Sequence, residues 1–191
     1  MAQASHLIVG IGNPDQEYLN TRHNVGWMFL DWLQAKYDGS EFTPDAKLKS
    51  SLAQLDIEGN LAWLQKPLPY VNLSGTAVSA MKRKTKLPND AIIVVQDDLD
   101  IPFGMCKLSF DKNSGGHNGV ESIIASLRTK KFHRIRIGIG VRALQTARTT
   151  GGTTRNEFVK SFVLKPFTPT ERKELDAVFE ACHTRLLQAL R

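Results

Sequence analysis

Apolar residues along this chain follow a few distinct rhythms. Leu7-Ile8-Val9 is a short apolar run that leads into Gly10-Ile11-Gly12-Asn13-Pro14, and it predicts a buried strand over residues 7–12. From Asn24 to Tyr37, Val25, Met28, Phe29, Trp32 and Leu33 recur at helical spacing, and Asp38-Gly39-Ser40 stops that helix. Residues 41–49 read as a polar connection. Leu52, Leu55 and Ile57 precede Glu58-Gly59-Asn60, and Leu61-Ala62-Trp63-Leu64 follow it, the pattern of a hairpin around a Gly-Asn turn. Lys66-Pro67-Leu68-Pro69-Tyr70 reads as a rigid extended loop, because each proline drives the residue before it away from helix. Asn72-Leu73-Ser74-Gly75 then opens a helical stretch to about Lys86.

Ala91-Ile92-Ile93-Val94-Val95 is apolar without alternation, as in a central parallel strand covered on both faces, and it ends at Gln96-Asp97-Asp98-Leu99-Asp100. Cys106–Phe110 reads as a further strand, followed by a loop from Asp111 to Gly116. His117 or Asn118 opens a helix through Leu127, with Val120, Ile123, Ile124 and Leu127 on one face. Ile135, Ile137 and Ile139 alternate with Arg134, Arg136 and Gly138, which predicts a half-buried strand. Residues 141–156 are rich in Thr, Gly and Arg and read as a flexible loop; Phe158–Leu164 predicts a short helix, and Thr170 caps a final helix to Leu190. Strands interleaved with helices over 191 residues, without repeats or a linker, predict one α/β domain around a mixed sheet.

Composition narrows the function classes. The hydrophobic share of 41% and charged share of 23% are those of a globular protein, and no apolar stretch is long enough to span a membrane. The N-terminal residues lack the basic and apolar segments of a targeting peptide, and two cysteines, Cys106 and Cys182, form neither a disulfide framework nor a metal-ligand pattern. A reducing, cytoplasmic setting is the expectation. The formal net charge of +6 suits a protein that meets polyanions and equally suits a solvated basic surface.

The chemistry-bearing residues each admit two roles. Gly10-Ile11-Gly12 lacks the third glycine of a dinucleotide fingerprint and the lysine of a phosphate loop. His23 is either a helix-start residue or a general base, and a base needs a carboxylate on its other ring nitrogen. Asp97 meets that need if strands 7–12 and 91–96 run parallel and end at one sheet edge; Asp97, Asp98 and Asp100 otherwise read as solvated loop acids or a divalent-metal site, with no further carboxylate cluster beside them. Asn13, Asn72 and Asn118 stand at loop-to-element junctions, where they either satisfy the backbone or form a polar pocket that holds a carbonyl and a water. No serine sits in a nucleophile-elbow pattern, which favours attack by an activated water. Lys82-Arg83-Lys84-Thr85-Lys86, Lys107 and the basic residues from Arg128 to Arg136 are candidate phosphate contacts or solvated faces.

Taken in order, Gly10-Ile-Gly-Asn-Pro14, Tyr18, Thr21-Arg-His-Asn-Val-Gly26, Asn72-Leu-Ser-Gly75, Asp97-Asp-Leu-Asp-Ile-Pro102, Gly116-His-Asn-Gly119, Arg134-Ile-Arg-Ile-Gly-Ile-Gly140 and Phe162-Val-Leu164 resemble the bacterial-type peptidyl-tRNA hydrolase family along nearly the whole chain. The resemblance implies a monomeric three-layer α/β/α sandwich that hydrolyses the ester between a peptide and the terminal ribose of tRNA, without a metal or other cofactor. It implies His23 as catalytic base and Asp97 as its supporting acid. Asn13, Tyr18, Val71, Asn72 and Asn118 match substrate-binding positions, and Lys107 and Arg136 match positions that contact tRNA phosphates.

The sequence departs from the family pattern at several points. Gln96 stands where histidine is usual, Asp98 replaces glutamate, and Val71 replaces methionine. Ser109 lacks the positive charge often found there, residues 111–115 are poorer in glycine, with Lys112 as a substitute phosphate contact, and the 141–156 stretch is longer than usual. An alternative is therefore a weakly active or inactive RNA- or ribosome-binding relative, and a third reading is an esterase of small substrates. The enzyme reading requires His23, Asp97 and the three asparagines to meet in one cleft.

Overall fold

The structure, a computed structural model, describes residues 5–141 and 153–191. Seven strands form one mixed sheet: β1 (His6–Gly10), β2 (Thr43–Asp45), β3 (Ser50–Ile57), β4 (Asn60–Pro67), β5 (Ile92–Pro102), β6 (Cys106–Phe110) and β7 (His133–Gly140). Their spatial order is β2-β3-β4-β1-β5-β7-β6. β1 runs parallel to both β4 and β5, and β5 runs parallel to β7, whereas β3 and β4 form an antiparallel hairpin and β6 closes the far edge antiparallel to β7. The continuous apolar runs behave as their patterning requires: Leu7, Ile8, Val9 and Ile92 to Val95 are all fully buried.

Helices cover both faces. α1 (Val25–Lys36), α4 (Thr153–Val163) and α5 (Pro169–Ala189) lie on one side, where Phe29, Leu30 and Leu33 meet Ile8, Ile93, Val95 and Phe179. α2 (Ser74–Thr85) and α3 (Asn118–Leu127) lie on the other, where Val78, Met81, Val120 and Ile123 pack on Leu7, Val9, Ile92 and Val94. The expected three-layer α/β/α sandwich is therefore present. The chain leaves β1 for one side of the sheet and returns to β5 on the other. The crevice between their C-terminal ends is the place where open α/β sheets bind ligands.

Several local expectations are corrected. The 41–49 connection contains β2, which pairs with β3 although Thr43-Pro44-Asp45 has no apolar alternation to announce it. Lys66 and Pro67 close β4 instead of opening a loop. β5 continues through the acidic segment to Pro102, with Asp97 opposite Ile137 and Asp98 opposite Gly138 on β7. β7 lies between β5 and β6 and buries five of its eight residues, among them Arg134, which is 3% exposed. The final helix is capped by Thr168: its hydroxyl accepts from the Glu171 amide while the Glu171 carboxylate accepts from the Thr168 amide, and Pro169 fills the first helical position. Most of the predicted 141–156 loop, residues 142–152, lies outside the described residues, and Thr153–Val163 is helical.

Candidate active site

The site is built by a close approach between α1 and the ends of β1 and β5. A Cβ on Gly10 would fall 2.6 Å from the Gly26 carbonyl oxygen, and one on Gly26 would fall 2.5 Å from that of Val95. Only glycine at both positions lets the start of α1 press against the strand ends. Arg22, His23 and Asn24 form the single 3-10 turn that leads into α1, and this contact sets them over the end of β5.

Both neighbours of His23 lock that turn. The Asn24 amide spans Asn13, accepting from its N–H at 2.9 Å and donating to its carbonyl at 2.9 Å. Arg22 is buried, donates to the Pro166 carbonyl and the Glu171 carboxylate, and lies over the Phe162 ring. Glu171 thus serves two elements at once, capping α5 and holding the turn that carries His23.

His23 Nδ1 lies 2.8 Å from Asp97 Oδ1. His117 Nε2 approaches the same oxygen at 3.0 Å. The other ring nitrogen of His117, Nδ1, accepts from the backbone N–H groups of Gly119 and Val120 at the start of α3. A nitrogen that accepts carries no proton in the neutral ring, so His117 presents Nε2–H to Asp97. Asp97 accepts from both histidines, and the His23 Nδ1–H bond to it leaves Nε2 of His23 as the basic nitrogen.

The electrostatics follow from this geometry. Burial alone would raise the Asp97 pKa, since the carboxyl is 2% exposed, but His23, His117 and their hydrogen bonds reverse that and hold it well below the ordinary carboxylate range. Burial likewise works against a charged His23, yet the Asp97 charge and hydrogen bond together outweigh it and raise the His23 pKa above 6.5. These three side chains also form the one potential metal-binding group among the described residues, with donor atoms within 4.8 Å of one another. In this hydrogen-bonded arrangement the protonated nitrogens of both rings face Asp97.

The remaining predicted residues divide into three groups. Asn13 is at the end of β1, and its Oδ1 accepts from the Val71 amide at 3.0 Å, which leaves Nδ2 for a ligand. Val71 is only 5% exposed and its side chain would crowd a Cβ on Gly119, so it belongs to the wall joining β1 to α3. Asn72 and Asn118 are exposed beside these contacts, in the turn before α2 and at the first position of α3. Tyr18 stands apart in the 16–18 turn, where its hydroxyl turns to Glu17 and its neighbour Asp15 accepts from the Tyr70 hydroxyl.

The basic positions lie along the β5–β7–β6 side. Lys107 on the edge strand is exposed and sits opposite Arg136 in register, while Arg136 Nε donates to Asp98 Oδ2 at 2.7 Å. Arg134 leaves the candidate rim altogether: it is buried, donating to Gln96 and to the Asn113 carbonyl. Lys82, Arg83 and Lys86 line a separate cavity with Ser79 and Ser126 near the C-terminal ends of α2 and α3, away from Asn72 and Asn118 at their beginnings.

Two functional residues escape a reading of the sequence as residues in a row. His117 shows only as a possible helix start; histidine at an N-cap, where Ser, Thr, Asp and Asn dominate, is the signal that marks it. Asn24 shows no signal of its own beyond lying next to His23.

Comparison with known proteins bears on the family and the fold. The family profile described as peptidyl-tRNA hydrolase matches residues 7–191. A peptidyl-tRNA hydrolase of Nocardia farcinica is 42% identical over 174 residues, covering 91% of this chain and 84% of that protein. One from Carboxydothermus hydrogenoformans is 41% identical over 184 residues, covering 96% and 91%. The crystal structure of peptidyl-tRNA hydrolase from Acinetobacter baumannii superposes with a TM-score of 0.80 at 31% identity, covering all of this chain and 95% of that one. With its glycine-tightened strand ends and its histidine–aspartate pair in place, the chain belongs to the peptidyl-tRNA hydrolase family.

Proposed function

We propose that this enzyme hydrolyses the ester joining a peptide to the terminal ribose of tRNA by direct attack of a water activated by His23. The observation that carries the mechanism is the Asp97 carboxylate shared between His23 Nδ1 and His117 Nε2. It fixes the tautomer in which His23 Nε2 accepts the proton of the attacking water, and it stabilises the imidazolium that results. His117 acts as a positioning residue: its helix-capping bonds stop the ring from turning, and its N–H stops Asp97 from turning. The imidazolium then returns the proton to the departing ribose oxygen as the tetrahedral intermediate collapses.

The amide groups of Asn13, Asn72 and Asn118 supply donors and acceptors for the water, the developing oxyanion and the first peptide bond of the substrate. Asn13 is the best supported of the three, because its Oδ1 is committed to Val71 and its Nδ2 is left available. Lys107 and Arg136 contact phosphates of the acceptor stem, reading charge and shape with little sequence information. Tyr18 is assigned to substrate binding on the family resemblance alone, since it stands apart in the 16–18 turn. The enzyme acts as a cytoplasmic monomer; among the described residues, no helix is long and apolar enough to cross a membrane.

The test is peptide release from a purified peptidyl-tRNA by the wild-type protein and by His23→Ala. Turnover by the first and a loss of about 10²–10⁴-fold in kcat by the second is the expected result. Tight tRNA binding without turnover by the wild type would instead establish a non-catalytic relative. Activity insensitive to salt would point to a small-molecule esterase, since phosphate contacts release counterions and weaken as salt rises.

A further inference from the structure

An exposed contact joins the two turns that carry Asn13 and Asn72, and the chemistry above makes no use of it. The Tyr70 hydroxyl donates to Asp15 Oδ2 at 2.6 Å. Asp15 lies two residues after Asn13 and Tyr70 two residues before Asn72, and two residues span at most about 7 Å of chain. The contact therefore borders both amides assigned to the substrate. Beneath it, Asn13 Oδ1 accepts from the Val71 amide at 3.0 Å in a buried bond. The two turns are thus tied at two depths, and the outer tie faces solvent.

Asp15 immediately precedes the 16–18 turn, a position where an aspartate ordinarily accepts from the amides of its own turn. It makes no such bond and reaches across to Tyr70 instead. Its partner is a neutral hydroxyl, so the carboxylate is fixed in place with its charge intact. Among the described residues no cation pairs with it: Arg22 is engaged with Glu171, and Lys66 with Asp31. Tyr70 is 52% exposed, which leaves much of its ring open to solvent. An open aromatic ring with a carboxylate held at its hydroxyl suits a cationic side chain, since the ring face and the carboxylate both attract it. The placement is complementary as well. Lys107 and Arg136 lie on the β5–β7–β6 side, whereas Asp15 follows β1 and Tyr70 follows β4, so the two sides of the crevice carry opposite charge.

We propose that Asp15 and Tyr70 form a subsite for a cationic side chain, lysine or arginine, at the peptide residue that precedes the esterified one. The subsite rests on the hydrolase reading above, in which Asn13 and Asn72 hold the first peptide bond. The residue beyond that bond is the one that reaches the outer tie. Its ammonium or guanidinium group lies against the Tyr70 ring and beside the Asp15 carboxylate. A glutamate at the same peptide position meets the Asp15 charge and is disfavoured. The enzyme thus selects among peptides at this rim, independently of the tRNA that carries them.

The experiment compares kcat/KM for N-acetyl-lysyl-glycyl-tRNA, N-acetyl-norleucyl-glycyl-tRNA and N-acetyl-glutamyl-glycyl-tRNA, all on one tRNA at one low ionic strength. The wild type is expected to favour lysine over norleucine about tenfold and to place glutamate last. Asp15→Asn should lower the lysine-to-norleucine ratio about fivefold, the factor for one unit charge about 4 Å away in water. Tyr70→Leu should lower the same ratio by at least about twofold, through loss of the ring. A change in the turns that is merely structural moves all three substrates together and leaves the ratio in place. A wild-type ratio near one overturns the subsite, as does a ratio that Asp15→Asn leaves unchanged. A ratio that Tyr70→Leu leaves unchanged overturns the part given to the ring; should that variant not fold, the Asp15→Asn ratio decides the subsite alone. Wild-type failure to cleave any of the three overturns the hydrolase reading itself, and the subsite with it.

Discussion

Replacing Asp97 by asparagine separates the charge of the triad from its shape. The substituted amide would keep an oxygen where Oδ1 now accepts from His23 at 2.8 Å and from His117 at 3.0 Å. His117 cannot reverse its ring, because its Nδ1 is held by two backbone N–H groups, so it continues to donate and orients the new amide oxygen towards both rings. The His23 tautomer therefore survives and only the charge is lost. At 2.8 Å and an effective dielectric constant of about 20, the Coulomb attraction between imidazolium and carboxylate is about 6 kcal/mol, and desolvation of the buried pair offsets most of it. The kinetic loss is thus set by exchanging a hydrogen bond to a charged group for a neutral one, a difference of roughly 1–1.5 kcal/mol, or about five- to tenfold in kcat. The pH dependence gives the sharper readout. His23 acts as a base when neutral, so activity rises with pH through its pKa, which Asp97 holds above 6.5. Without the carboxylate, burial is left to act alone and the midpoint moves below 6.5. The assay is peptide release by Asp97→Asn and the wild type at saturating peptidyl-tRNA over a pH series. A midpoint that stays in place or moves upward would refute the reasoning, as would a loss in kcat far beyond tenfold, which would mean that the tautomer had changed.

Three further perturbations probe the elements around the triad. Glu171→Ala removes both an α5 cap and the carboxylate partner of buried Arg22, and should cost roughly 3 kcal/mol in urea unfolding, with kcat falling as the His23 turn loosens; a change in kcat with no change in stability would count against this link. Gly26→Ala forces a Cβ to within 2.5 Å of the Val95 carbonyl and should destabilise by about 3 kcal/mol, measured by the same unfolding curve. Lys107→Gln and Arg136→Gln should each raise KM at constant kcat and reduce the salt slope of tRNA binding by about 1; an unchanged slope would remove that residue from the phosphate rim.

The legibility of these features in the sequence follows the range of the forces behind them. β1 and β5 declare themselves because burial on both faces demands an unbroken apolar run. β2 is silent because Thr43-Pro44-Asp45 becomes a strand only by pairing with β3. Arg134 reads as a surface residue by alternation, but the Gln96 amide and the Asn113 carbonyl satisfy it inside, which no local pattern encodes. His23 and Asp97 are recognisable as a possible pair because parallel strands share an edge. His117 is not, since its role depends on the approach of α3 to β5. Gly10 and Gly12 suggest a phosphate loop when read alone; the clash between Gly10 and Gly26 shows that the first of them serves packing.

The departures from the family pattern become intelligible through the alternation of β5. Successive residues of a strand face opposite sides, so Asp97 is turned towards His23 and His117 while Gln96 and Asp98 are turned to the other face. There Gln96 is the partner of Arg134 and Asp98 the partner of Arg136. A change from histidine to glutamine, or from glutamate to aspartate, at these two positions thus alters how two arginines are held and leaves the triad untouched. The shorter Asp98 side chain holds Arg136 by Nε. Buried Arg134 fastens the 111–116 loop from beneath, the loop that also carries exposed Lys112. Substitution on this face accordingly changes how Arg134 and Arg136 are held, and the hydrogen bonds of His23 and His117 to Asp97 stay as they are.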